Sequence, residues 1–265
     1  MLEVVDVGVA HMTKRQKMRE FYKRSLADRM PNDQDVYLVD RHLGCYAVAD
    51  GVGSSSNSDI AAKAVCDAYR ASILRLGSNE SIGRLTQREY VVRTLMDMND
   101  AAVGVLATTT FTGLAVHSDD TASYLHVGDS QLVLYRDGEL THCTSEHVHD
   151  NGYQLLNFLG TQPEWASQGY ARHALNVTVE ANAFSATKLE AEWGEIRLRE
   201  GDRFALMTDG ITGSSVYDTL DERLLRKHLG RSIGAIACAD ALLGASRKED
   251  DSTVIVVDIG SVCTV

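Results

Sequence analysis

Four short acidic segments stand at the ends of apolar runs in this chain: Asp50-Gly51-Val52-Gly53, Gly128-Asp129-Ser130, Thr208-Asp209-Gly210 and Glu249-Asp250-Asp251. Cys45 to Ala49 precedes the first, Ser123 to Val127 the second and Phe204 to Met207 the third, while Val254 to Val257 follows the fourth. Short apolar runs bounded by turn formers read as strands. Neighbouring strands bring their ends to a common sheet edge, so a fold that satisfies these runs also gathers carboxylates. Two like charges about 4 Å apart cost roughly 4 kcal/mol at an effective dielectric near 20. Such a cluster needs positive charge within it, and hard divalent cations with oxygen ligands supply that charge. A metal site is therefore the first expectation.

The chain has 265 residues, 44% of them hydrophobic, enough for one large domain or two small ones with an extensive core. Only two prolines occur, Pro31 and Pro163, and no low-complexity linker interrupts the sequence, so residues 1–265 are expected to form a single domain. The formal net charge of −11 excludes a basic nucleic-acid footprint and disfavours an anionic membrane surface. It does not exclude phosphate, because bound metals reverse the local field. The five cysteines are Cys45, Cys66, Cys143, Cys238 and Cys263, an odd number with no C-x-x-C pair, which suggests reduced thiols used in packing. The first residues, Met1 to Asp6, lack the basic and apolar regions of a signal peptide, and no stretch approaches the roughly 20 apolar residues that span a bilayer. A soluble, cytoplasmic protein is expected.

Along the chain, Leu2 to Val9 reads as a strand, and Val36 to Val39 with Gly44 to Ala49 as a hairpin. Lys14 to Arg29 is basic and reads as a surface helix or loop with a solvated face. Asp59 opens a helix in which Ile60, Ala64 and Ala68 share one stripe. A second helix runs from Arg88 to Leu106, with Val91, Leu95, Met98, Ala102 and Val105 inward. Strands follow at Phe111 to Val116, Ala122 to Val127, Leu132 to Tyr135, Ile196 to Leu198, Phe204 to Met207 and Thr253 to Ile259. Helices are expected at Leu220 to Leu229 and Ile233 to Ala245, and Thr144 to Lys188 is irregular. Strands grouped apart from helices argue for an α+β architecture, with helical pairs covering two packed sheets.

Five strings together resemble the metal-dependent PP2C-type (PPM) protein serine/threonine phosphatases, in their bacterial style. They are Ala47-Val48-Ala49-Asp50-Gly51-Val52-Gly53, the Thr108-Thr109-Thr110 and Thr112-Gly113 stretch, His126-Val127-Gly128-Asp129-Ser130 with Leu134 to Gly138, Gly201-Asp202-Arg203 with Thr208 to Thr212, and Asp250 to Val257. An Asp-Gly pair alone is ordinarily a turn; five strings in the family's order span most of the chain. The resemblance implies a four-layer αββα sandwich of two antiparallel sheets, carrying two Mn²⁺ or Mg²⁺ ions and room for a third. Asp50 would bridge the pair, the Gly51 carbonyl would complete one ion's shell, and Asp209 and Asp250 would bind the other ion. Asp129 matches a weaker third site, and Asp35 a residue that positions water. Hydrolysis of a phosphate monoester by a hydroxide held between the ions is the implied chemistry. Phosphoprotein substrates and a cognate serine/threonine kinase are the implied partners, and a monomer is expected.

The departures are local. Ser54 replaces a second glycine, Asp59 stands where Glu is common, and Asp251 occupies the usual Asn position, where a supporting role is expected. Val52 stands where animal relatives often place His, so leaving-group protonation falls to water. Asp33-Gln34-Asp35 fits the N-terminal motif, but Arg29, the candidate phosphate clamp, lies one residue too far upstream; otherwise Arg29 belongs to the basic solvated face. Residues of about 146–188 correspond to the family's variable flap. His147 and His149 read as surface-loop histidines rather than a metal pair, and Trp165, Tyr170 and Trp193 as packing residues rather than a substrate groove. The rival readings are an inactive relative used as a regulatory module, suggested by these departures, and another metal hydrolase such as a nuclease, disfavoured by the charge.

Overall fold

Alternation decides the layering. In the computed structural model, which describes residues 2–21, 33–53, 57–78, 87–148, 155–160, 177–180, 188–213, 218–230 and 232–261, strand β3 (Cys45–Asp50) points Cys45, Ala47 and Ala49 one way and Tyr46 and Val48 the other. Strand β13 (Ser252–Ser261) divides in the same way, with Val254 and Val256 on one face and Ile255, Val257 and Ile259 on the other. Strands apolar on both faces must be covered on both. The two inner faces meet each other and the two outer faces take helices, which is the four-layer αββα arrangement the sequence implies.

One sheet has the order β1-β13-β12-β7-β8, built from β1 (Leu2–Met12), β7 (Gln131–Arg136), β8 (Glu139–His142), β12 (Arg203–Met207) and β13. The other has the order β10-β11-β6-β5-β3-β2, built from β2 (Asp35–Asp40), β3, β5 (Phe111–Val116), β6 (Thr121–Val127), β10 (Val177–Glu180) and β11 (Lys188–Arg197). Every pairing is antiparallel. A two-stranded ribbon pairs β4 (Thr108–Thr109) with β9 (Leu159–Gly160). Tyr46, Leu114, Leu132, Phe204, Leu206 and Ile255 fill the layer between the two large sheets.

Helix α2 (Ser58–Ser78) and helix α3 (Gln87–Gly104) cover the six-stranded sheet, burying Ala61, Val65 and Tyr69 with Leu95, Met98 and Ala102 against Ala47, Phe111 and Val127. Helices α5 (Glu222–Leu229) and α6 (Ala235–Ala245) cover the other sheet through Leu225, Leu229, Cys238 and Leu242. The side chain of Asp221 accepts from the Arg223 N–H and caps α5. Helix α3 stops at Gly104, two residues short of the sequence expectation, because Leu106 turns into positive φ and leaves the helix face for solvent. Strands β4, β8, β9 and β10, and all of β11 before Ile196, are not legible in the apolar pattern. Among the described residues no helix is long and apolar enough to cross a membrane.

The basic segment differs from expectation. Lys14–Phe21 is helix α1, but it does not simply present a solvated face, because Lys17 is buried. Its ammonium donates to the Gly210 carbonyl (3.3 Å), Ser246 Oγ (2.8 Å), the Lys248 carbonyl (3.0 Å) and Ser252 Oγ. Burial depresses its pKa to about 8. The helix is thereby pinned to the loop that carries Asp250.

Phe204 has no exposed surface in the inter-sheet layer. Phe204→Ala is expected to lower the unfolding free energy by about 3–5 kcal/mol in urea denaturation. A loss below about 1 kcal/mol would show that this layer is not the common core.

Candidate metal centre

The four acidic segments lie at one end of the sandwich. Asp50 ends β3, Asp129 follows β6, Asp209 follows β12 and opens the short helix α4 (Asp209–Thr212), and Asp250 precedes β13. Asp50, Gly51, Asp129, Asp209 and Asp250 line one cleft of about 450 Å³, together with Gln34, Val52, Gly53, Thr110 and Leu155. Asp35 sits beneath it as the cross-strand partner of Asp50.

The glycines of the Asp-Gly pairs are required by close approach. A Cβ on Gly51 would lie 2.6 Å from the backbone of Ser58 at the start of α2, and one on Gly210 would lie 1.7 Å from the Asp251 carbonyl. Gly128 adopts φ +119°, where side chains are strained, and its open face packs on Thr110. Asp50, Asp129 and Asp209 are thus seated by close packing at the adjoining glycine as well as by their own strands. Thr110 completes the seat of Asp50: its Oγ1 accepts from the Asp50 N–H (3.1 Å) and its N–H donates to the Asp50 carbonyl (2.8 Å).

Burial raises the Asp50 carboxyl well above its ordinary range, and Asp35, Asp209, Asp129 and Asp250 push it further. Asp129 is raised to about 8 by burial and by Asp209. Asp35 is raised to about 7, by burial first, with Asp251 and Asp209 adding to it and the Thr253 and Thr208 hydroxyls opposing. Those hydroxyls donate to Asp35 Oδ2 at 2.7 and 2.8 Å, while Asp35 Oδ1 and Asp209 Oδ1 are buried without a hydrogen-bond partner.

Lys248, which the sequence reading missed, sets a positive charge against two of the cleft's carboxylates, and Lys14 Nζ lies 3.9 Å from Asp250 Oδ1. The Lys248 ammonium pairs with Asp209 Oδ2 and with Asp250 Oδ2 (3.3 Å). Burial alone would lower its pKa; Asp209 and Asp250 overrule that and raise it. A side-chain ammonium standing between two carboxylates marks where this cleft accepts a cation. Oxygen-only donors, orphaned carboxylate oxygens and a built-in cation fit hard divalent ions such as Mn²⁺ and Mg²⁺.

Supporting contacts extend outward. Asp251 accepts from the Lys14 N–H (2.5 Å) and the Gln34 N–H (2.9 Å), joining α1, the residue before Asp35 and the acidic loop. His11 was also missed. Thr253 gives its proton to Asp35, so His11 Nδ1 donates to Thr253 Oγ1 (2.8 Å), while His11 Nε2 faces Asp33 (2.9 Å). Both nitrogens then carry protons; burial opposes that charge, and Asp33, Asp35 and Asp251 outweigh it and raise the pKa.

His147 departs most from expectation. It has no exposed surface and lies beside His126 and Glu192, also buried, rather than in a surface loop. Trp193 packs half-buried against the helix-covered core, as a packing residue. Arg29, Ser54, His149, Trp165, Tyr170, Cys263 and most of the expected flap lie outside the described residues.

A family model for protein phosphatase 2C matches residues 26–235. The chain belongs to the protein phosphatase 2C family. This family member is 25% identical over 214 residues to a protein phosphatase 2C-type protein of Streptococcus pyogenes, covering 77% of this chain and 82% of that one. It is 26% identical over 239 residues to the serine/threonine protein phosphatase PstP of Mycobacterium tuberculosis, covering 87% of this chain but 43% of PstP, so it spans less than half of that relative. In fold it resembles the PPM Ser-Thr phosphatase MsPP of Mycobacterium smegmatis, with a TM-score of 0.64 at 18% identity over 97% of this chain and 99% of that one. It also resembles the catalytic domain of PstP solved with two manganese ions, with a TM-score of 0.63 at 18% identity over 98% and 100%.

The raised carboxyls give the metal-free protein a pH signature. Asp35 and Asp129 hold protons in the folded state up to about pH 7 and 8, whereas the unfolded chain releases them near 3.8. The folded state therefore binds more protons across that interval, and stability falls as pH rises through it. Between pH 6.5 and 8 the raised His11 acts in the same direction. His126, depressed to about 3 by burial, acts only below that window, and Lys17, depressed to about 8, acts above it. Differential scanning calorimetry of the chelator-treated protein should show Tm falling from pH 6.5 to 8, with saturating Mn²⁺ flattening the trend. A metal-free Tm that is constant or rises would contradict the carboxylate electrostatics.

Proposed function

We infer that this protein is a metal-dependent phosphoserine/phosphothreonine phosphatase acting on phosphoproteins. The observation that carries the reading is the convergence of Asp50, Asp129, Asp209 and Asp250 from four separate segments on one cleft, in a chain of the protein phosphatase 2C family. Asp50, the Gly51 carbonyl, Asp209 and Asp250 would hold two Mn²⁺ or Mg²⁺ ions, and Asp129 a third. When bound, the ions neutralise phosphoryl charge and acidify water for attack on phosphorus.

The chain's own residues do the positioning. Thr109 and Thr110 fix the Asp50 backbone, since Thr109 Oγ1 and the Thr110 N–H both donate to its carbonyl, at 2.9 and 2.8 Å. Thr208 and Thr253 occupy one oxygen of Asp35, and the other, without a protein partner, is left to orient a water. Val52 offers no proton at the position where animal relatives place His, so the serine or threonine leaving group takes its proton from water. Arg29 is proposed as the bidentate phosphate clamp on the strength of its place before Asp33-Gln34-Asp35.

We read residues 1–265 as one phosphatase domain, with 146–188 as its variable flap, working as a monomer against a serine/threonine kinase. A cytoplasmic setting is supported by Cys45, Cys66 and Cys143, which form no disulfide among the described residues. The inactive-module reading has no specific support, because the candidate ligands it would be expected to lose are retained.

The test is phosphate release from p-nitrophenyl phosphate and from a phosphothreonine peptide. Turnover should require Mn²⁺ or Mg²⁺, and Asp209→Asn should lower kcat by more than about 100-fold, beyond what loss of a supporting contact costs. No release with any divalent ion, or full activity of the variant, would contradict the assignment.

A further inference from the structure

Behind the Asp129 turn lies a buried polar unit that the proposed reaction does not use. His126 and His147 have no exposed surface and Glu192 is 5% exposed, with ligand atoms of all three within 4.8 Å of one another. Two histidines and a glutamate at that spacing suggest an ion site, but the proton positions exclude one. His126 Nε2 faces the Ser145 carbonyl (3.0 Å) and must carry a proton, so its Nδ1 accepts from the Thr112 hydroxyl (2.8 Å). His147 Nδ1 accepts the Gly128 N–H (3.1 Å), which places the His147 proton on Nε2, facing Glu192 Oε1 at 3.7 Å. Neither imidazole has a lone pair left for a metal.

The same hydrogen bonds do something else. The His147 N–H donates to the Gly128 carbonyl (2.7 Å), so His147 grips both backbone groups of the residue immediately before Asp129. Glu192 holds the other side of the unit, accepting from the Ser145 N–H (3.0 Å) and the Ser145 hydroxyl. The His147 carbonyl accepts from the Leu156 N–H (2.7 Å), and Val148 bridges to Leu155, which lines the cleft. One buried residue therefore connects the Asp129 turn to the segment that brings Leu155 into the cleft lining. At Gly128 the backbone sits at φ +119°, a conformation that neighbouring contacts must hold.

We propose that His147, oriented by Glu192, is a positioning residue that sets the Asp129 carboxylate for an additional divalent ion and ties that ion's site to the cleft wall at Leu155. This rests on the metal-binding role of Asp129 in the proposed function. Its readout is ion binding, which is separable from turnover.

The test is calorimetric titration of the metal-free protein with Mn²⁺. Asp129→Asn should weaken one binding event at least about tenfold, in the range that supporting shells of metal sites command. His147→Gln places its amide where Nε2 was and leaves the Gly128 N–H without an acceptor, so it should reproduce the Asp129→Asn loss. His147→Asn offers Oδ1 where Nδ1 was and should restore binding toward wild type. Glu192→Gln, which is isosteric, should weaken the same event, and it carries the test if the His147 variants fail to fold. Wild-type titration of Asp129→Asn, His147→Gln or Glu192→Gln overturns the proposal, as does an equal loss in His147→Asn and His147→Gln. If wild-type protein binds Mn²⁺ but releases no phosphate, the phosphatase reading fails while these titrations still decide the role of His147.

Discussion

Mutual repulsion among buried carboxylates is the constraint on which the rest of the site depends. Asp35, Asp50 and Asp129 are each pushed toward the protonated form by burial first and then by neighbouring acids, with Asp209 acting on all three. Buried like charges are tolerated only with compensating cations or protons. The protein supplies part of the compensation through Lys248, which joins Asp209 to Asp250, and through Lys17, which pins the same loop from below. Metal affinity and metal-free stability are therefore two readings of one electrostatic strain, and a divalent ion relieves more of it than a lysine can.

The sandwich gives that strain a place. Asp50 and Asp129 come from the six-stranded sheet and Asp209 and Asp250 from the five-stranded one, so the cleft exists only because the two sheets pack with these ends together. The apolar layer of Tyr46, Leu114, Phe204, Leu206 and Ile255 holds that alignment. Close backbone approaches at Gly51, Gly128 and Gly210 convert it into fixed side-chain positions. Fold stability and site geometry are coupled through the same strands.

Much of this was legible in the sequence because strand alternation and Asp-Gly pairs are local signals. The apolar pattern gives strand β5 its observed ends, and the acidic segments do meet in one cleft, although at the adjoining ends of two packed sheets rather than at the one common edge expected. What stayed hidden depends on partners distant in the chain. Lys17 sits in a basic run that resembles a solvated face, yet it is buried because Gly210, Ser246, Lys248 and Ser252 each offer it an acceptor. His147 has the neighbours of a surface loop but is fixed inside by Gly128 and Glu192. Lys248 had a readable signal, a lysine two residues before a candidate ligand, though its pairing with Asp209 spans 39 residues. Short strands such as Leu159–Gly160 carry too few residues to show a period.

The central claim is that acids from four segments converge to hold paired divalent ions. Anomalous diffraction from a crystal grown with Mn²⁺ tests it most directly. The account predicts two strong peaks inside the cleft, both contacting Asp50, with Asp209 and Asp250 sharing one. A cleft without such peaks, still bridged by Lys248 at saturating Mn²⁺, would contradict it.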